Sequence, residues 1–244
     1  ISILTNELPR VVEITGKRPF LNIGLGTNRL GGAKLGFLQE GIRAIVTGKV
    51  GNQYRVQLST SFSAWLPEEF AKLLPPSTPL PRSEVGAITV AGNSTYDIVT
   101  VNLDAKLPYT SEQTLQPATI VVDIYGAISN TNWIAHQATA KEIASVTCTQ
   151  VESQRYRLTL YLRHRSHWGY DIEYNGNTLR IKVQRPPVLK SPKTPLNGIT
   201  VALDAGHGGE DNRGDAGRED HRYAEGKQTI GQAQVSADTA DENG

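Results

Sequence analysis

The sequence predicts a mainly β protein: a small antiparallel barrel, then a β-sandwich, then one short strand of α/β kind followed by a disordered tail. Three observations carry this expectation. Short runs of β-branched and aromatic residues recur between glycine, asparagine and serine turns. Two proline-rich stretches punctuate the chain, and the residues from Arg213 onward hold almost nothing apolar. At 244 residues the chain exceeds the roughly 100–200 of one ordinary domain, so two or three modules are expected.

Proline sets the boundaries, because it has a fixed φ and no N–H to offer a helix or sheet. "LLPPSTPLPRSE" and "RPPVLKSPKTPLNG" read as extended linkers. The expected organisation is a barrel with an amino-terminal extension over 1–74, a linker over 75–84, a sandwich over 85–185, a linker over 186–198, and a third segment over 199–244.

In the first module the runs Ile42–Thr47, Tyr54–Leu58 and Ala64–Leu66 are separated by turn chemistry at Gly48, Gly51-Asn52 and Ser59–Ser63. Further strands are predicted at Val11–Thr15 and Phe20–Ile23. The second module holds an internal repeat. "DIVTVNLDAKLPYTSEQTLQPATIVVDIYG" and "YRLTLYLRHRSHWGYDIEYNGNTLRIKVQRP" share a plan: an alternating strand, a Pro-Tyr or Gly-Tyr corner, a short strand, a turn and another alternating strand. Val99, Val101 and Leu103 lie on one face in the first copy, and Leu158, Leu160 and Leu162 in the second. Two such halves burying their apolar faces against each other predict a sandwich. The third segment opens on Ile199–Leu203, a short buried strand, and turns at Asp204 into "AGHGGED", where the glycines permit close backbone approach to a ligand.

Composition excludes several function classes. A formal charge of +1 gives no field for nucleic acid or an anionic membrane. The single cysteine, Cys148, excludes an intrachain disulfide and a cysteine-rich zinc knuckle. No run approaches the ~20 apolar residues of a membrane span. The start at Ile1, in a chain without methionine, reads as a processed or cut end, whether of a secreted chain or of a fragment.

Family resemblances sharpen these expectations. Gly36, Leu38, Gly41, then Tyr54, Val56 and Leu58, then Ala64, Trp65 and Leu66 resemble the bacterial Src-homology-3-like domains of envelope proteins, over about Leu30–Leu74. The duplicated plan closed by "ATIVVDIYG" resembles the AMIN domain of envelope amidases and secretins, with "TIVVD" standing where the family has Arg-Leu-Val-Val-Asp. The string "V-x-L-D-x-G-H-G-G-x-D" resembles the opening strand of zinc-dependent N-acetylmuramoyl-L-alanine amidases, which cleave the amide between muramic acid and L-alanine in peptidoglycan.

The last resemblance implies that His207 is the first zinc ligand. The family adds a glutamate where this chain has Arg222, a later histidine, and a late glutamate as general base. Three protein ligands and an open water position are what a catalytic zinc needs. Residues 213–244, with one Ile, one Val, one Tyr and no Leu, Phe or Trp, do not supply that pattern and read as disordered. One hypothesis that accounts for the loss is a reading-frame change between Asn212 and Asp215, which the underlying nucleotide sequence would decide. The chain is therefore expected to be a truncated amidase, inactive alone, or else a non-catalytic peptidoglycan or envelope binding protein.

One surface candidate stands apart from the zinc motif. In "RHRSHW", Arg163, Arg165 and Trp168 offer guanidinium forks for carboxylates and an apolar ring for a sugar face. His164 and His167 are three apart, so as strand residues they face opposite ways and share a metal only across a bend. The partner expected is peptidoglycan, with an envelope regulator as a further candidate, in the periplasm or the extracellular envelope.

Overall fold

The structure is a computed structural model that describes residues 9–26, 33–188 and 193–194. It is mainly β, as the alternation predicts, and one compact unit ending at Pro186 holds both β modules. The Ile199–Leu203 strand, His207 and the tail lie outside the described residues.

The first module is one seven-stranded antiparallel sheet. Its strands are β1 (Arg10–Ile14), β2 (Phe20–Asn22), β3 (Lys34–Phe37), β4 (Arg43–Val50), β5 (Gln53–Gln57), β6 (Ser63–Pro67) and, after a single 3-10 turn at Glu68–Phe70, β7 (Ala71–Leu73). The order is β3-β2-β6-β5-β4-β1-β7. The expected barrel is not closed, because the end strands β3 and β7 do not pair. Side chains fill that gap: the Phe20 ring meets Phe70 edge-on, centroids 5.4 Å apart. Alternation in β5 and β6 buries Tyr54, Val56, Ala64 and Leu66 while Arg55 points to water.

The second module contains β8 (Ser83–Val85), β9 (Ile88–Gly92), β10 (Tyr96–Asn102), β11 (Tyr109–Leu115), β12 (Ala118–Tyr125), β13 (Ala127–Ser129), β14 (Ile134–His136), β15 (Ile143–Glu152), β16 (Arg155–Leu162), β17 (Tyr170–Asn175) and β18 (Thr178–Gln184). Ser83 and Glu84, placed in the linker by sequence, belong to β8, which pairs in parallel with β13. One sheet runs β14-β9-β10-β18-β17 and the other β11-β12-β16-β15.

The duplication takes a different form from the one the sequence suggests. The halves are β9–β12 and β15–β18, and they exchange strands. The opening pair of the first half, β9-β10, joins the closing pair of the second through β10 and β18. The opening pair of the second, β15-β16, joins β11-β12 through β16 and β12. Each sheet is thus half of each repeat. Val99, Val101, Ile181 and Val183 from one sheet and Ile120, Val122, Leu158 and Leu160 from the other are all buried in the core. At ~1.5–3 kcal/mol for each large apolar side chain fully buried, these positions dominate the stability of the sandwich.

Several contacts fasten the first sheet to the sandwich. Gln39 acts as a one-residue strand on the β17 edge: its Nε2 donates to the Ile172 carbonyl (2.8 Å), and its Oε1 accepts from the Tyr174 N–H (2.7 Å). The Glu152 carboxylate accepts from the hydroxyls of Thr60 (2.6 Å) and Ser61 (2.7 Å) and from the Ser61 N–H. Phe62 packs its ring against Tyr125.

Candidate functional site

The corner between β16 and β17, residues 163–169, gathers the surface residues singled out in the sequence. Its foundation is Asp97, fully buried on β10. One carboxylate oxygen accepts the N–H groups of Lys141 (2.8 Å), Glu142 (2.6 Å) and Ile143 (2.8 Å); the other receives Nε of Arg185 at 2.8 Å. Burial by itself would push the Asp97 carboxyl up. The Ile143 and Lys141 amides, the guanidinium and the Glu142 amide outweigh it, and the group is held below its ordinary value.

Gly92 is required beside this ion pair. A Cβ there would run into the Arg185 guanidinium and the Thr139 carbonyl.

Asp97 thereby fixes Glu142, itself 2% exposed, and Glu142 fixes the start of the corner. The Arg163 N–H donates to the Glu142 carbonyl at 2.9 Å, and the Glu142 carboxylate holds Nδ1 of His164. At the other side of the sheet, Nε2 of His167 bonds the Thr114 carbonyl at 2.7 Å; since a carbonyl only accepts, that nitrogen carries the proton. β11 and β15 are the two edges of their sheet. The corner therefore crosses the sheet end and is fastened near each edge by one histidine. The two histidines serve separate partners and do not converge on a common ligand.

What the fastening presents to solvent is Arg163, Arg165 and Trp168. Both arginines are exposed, and neither guanidinium makes a hydrogen bond or ion pair among the described residues. Trp168 is 41% exposed, with Leu115 and Tyr161 also open to solvent at this end of the sheet. Two free planar forks and an exposed indole on one corner can take up carboxylates and an apolar sugar face. Holding the backbone at both ends reduces the ordering cost of binding.

Other candidates fall into the scaffold. Tyr54 is buried in the first sheet, and its hydroxyl approaches Glu68 at 3.4 Å. His136 is exposed in β14. Sequence reasoning missed Asp97 and Asp123. The phase of the alternation carries the signal for Asp97, an acid in register with the inward Val99 and Val101. Asp123 lies opposite Arg157 across β12 and β16, with Nε of Arg157 at 2.7 Å and Nη2 of Arg155 at 2.6 Å. Its burial is outweighed by both guanidiniums, so its carboxyl is held below the ordinary value.

Among the described residues no group of three His, Cys, Asp or Glu stands together as a metal site, and no helix is long and apolar enough to cross a membrane. His207, the candidate zinc ligand, is outside those residues. No curated protein matches the chain. The family model of the AMIN domain matches residues 87–184, almost the whole two-sheet sandwich from β9 to β18, including the corner 163–169. AMIN domains bind peptidoglycan and are typical of peptidoglycan hydrolases and envelope proteins. Residues 87–184 thus match the AMIN domain, a module typical of peptidoglycan hydrolases and envelope proteins.

Proposed function

We propose that this protein represents an N-acetylmuramoyl-L-alanine amidase of the bacterial cell wall by its targeting modules and a truncated catalytic domain, the first sheet and AMIN sandwich serving to hold the enzyme on peptidoglycan. The observation that carries the reading is the succession, in one chain, of an AMIN domain over 87–184 and the string "VALDAGHGGED" at 201–211. In this reading His207 is a zinc ligand. Arg163 and Arg165 engage peptidoglycan carboxylates and Trp168 covers a sugar face. The zinc of such an enzyme supplies an activated water at neutral pH. The setting is the periplasm or the extracellular envelope, where an envelope regulator is a further partner.

The binding half of the reading is tested by sacculus pull-down. The Arg163→Ala, Arg165→Ala double variant is expected to lose about tenfold or more in binding, two charge-assisted contacts being removed. Unchanged binding sinks the assignment to this corner. The catalytic half is tested on purified sacculi: this chain alone is expected to be inactive, and the amidase reading predicts hydrolysis, abolished by chelator and by His207→Ala, once the reading frame after Asn212 is restored. Binding without zinc-dependent hydrolysis by the frame-restored chain supports a non-catalytic envelope binder instead.

A further inference from the structure

We propose that the cleft between the first sheet and the sandwich binds a free α-amino-acid headgroup, an ammonium and a carboxylate carried on one carbon. The cleft has a volume of about 190 Å³ and is walled by Glu13, Gly41 and Arg43 from the first module and Asp104, Lys106 and Asn177 from the second. It is smaller than the ~300–1,000 Å³ of pockets for drug-sized ligands, and suits one headgroup rather than a length of polymer.

Its charges are mixed and incompletely used. Arg43 lies 3.8 Å and Lys72 3.9 Å from the Glu13 carboxylate, too far to hydrogen-bond, and no other group bonds that carboxylate among the described residues. The Arg43 guanidinium donates no hydrogen bond there. Among the described residues Lys106 has only the Glu40 carbonyl, at 3.2 Å, and no carboxylate partner. One Asp104 oxygen takes the Ser83 hydroxyl at 3.2 Å and the Glu84 N–H at 3.3 Å, and the other has no hydrogen-bond partner among the described residues.

The walls themselves are fixed. Arg43 and Glu13 are adjacent in the β1–β4 ladder, the Arg43 N–H donates to the Lys106 carbonyl at 3.0 Å, and Asn177 Nδ2 donates to the Asp104 carbonyl at 2.7 Å. The free valences are therefore pre-organised.

The sign pattern selects the ligand. A simple anion drawn to Arg43 and Lys106 meets Glu13 and Asp104, and a simple cation meets the reverse. A group with both charges matches both pairs, and mismatched charges in a concave site are costly. This inference rests on the peptidoglycan reading only for the source of the headgroup, an uncrosslinked diamino diacid of the stem peptide. The chemistry of the cleft stands without it.

The test titrates the isotopically labelled full chain with meso-diaminopimelate and follows the amide resonances of Arg43, Asp104 and Lys106. Pimelate, which lacks the ammoniums, and cadaverine, which lacks the carboxylates, are the comparison ligands. Saturable shifts are expected, weakened about tenfold or more for either comparison ligand and for Arg43→Gln or Glu13→Gln. Lys106→Gln gives a second probe should either variant unfold. Absence of saturable shifts, equal binding of pimelate or cadaverine, or unaltered binding by the folded variants overturns the proposal. Sacculus pull-down separates the two claims: sacculus binding without headgroup binding removes this site and leaves the peptidoglycan reading, while headgroup binding without sacculus binding does the reverse.

Discussion

Replacing Asp97 by alanine removes the acceptor shared by three backbone N–H groups and the Arg185 guanidinium. The carboxylate is fully buried, so the donors left behind sit in a space only a methyl group now fills. Breaking a buried, hydrogen-bonded ion pair costs about 3–5 kcal/mol. For a chain of this size each kcal/mol lowers Tm by about 2–4 °C, giving a fall of about 6–20 °C. Asp97→Asn keeps the shape but turns an NH₂ toward donors, and is expected to cost about 2–3 kcal/mol. The assay is urea unfolding followed by tryptophan fluorescence.

The pH dependence follows from the lowered Asp97 pKa. The stabilisation is fully present above the unfolded value of 3.8 and is lost as pH falls through the lower folded value. The gap between wild type and Asp97→Asn should therefore stay constant from neutral pH down to about 5 and close in stronger acid. Because Asp97 fixes Glu142 and Glu142 holds His164, amide exchange at 163–165 should quicken in both variants. A cost below about 1 kcal/mol at pH 7, or a gap that does not close in acid, refutes the reasoning.

Gly92→Ala drives a methyl group into the Arg185 guanidinium and the Thr139 carbonyl, and should cost about 1–3 kcal/mol by the same urea assay. The Glu152 carboxyl is held down to about 2 by the hydroxyls of Thr60, Ser61 and Ser59. Its grip on the first sheet is thus complete above the ordinary value of 4.5 and is lost as pH falls toward about 2. Amide exchange at Thr60–Phe62 should rise over that interval in wild type and at all pH values in Glu152→Gln. Asp123→Ala leaves Arg155 and Arg157 without their shared acceptor and should lower stability by about 2–4 kcal/mol, measured by thermal unfolding.

Much of this architecture can be read in the alternation. Val99, Val101, Leu158 and Leu160 are buried as their spacing requires, as are Val56, Ala64 and Leu66. β15 is not legible in the same way. Its outward positions include Ser145, Thr147, Thr149 and Val151, and its inward ones are Ile143, Val146, the half-buried Cys148 and Gln150, with a bulge between Ile143 and Ser145, so the apolar rhythm is weak although Thr and Val favour strands.

The exchange of strands between halves is hidden for another reason. Both copies carry the same period, and alternation states which side of a strand is apolar but not which sheet receives it. At the candidate site the residue types of Arg163, Arg165 and Trp168 were visible in sequence. The two histidine fastenings were not, because Glu142 and Thr114 lie 22 and 53 residues from their partners. The open edge between β3 and β7 was equally hidden, since it depends on which strands pair and not on the alternation within any one of them.

The exchanged strands also set a timetable. β10 finds its long neighbour only in β18, with Val99 facing Ile181, so the first-made strands of the sandwich wait for the last. Neither half can be completed by itself, and pairing so distant along the chain slows folding. A sandwich wired in this way stays open while it is being made.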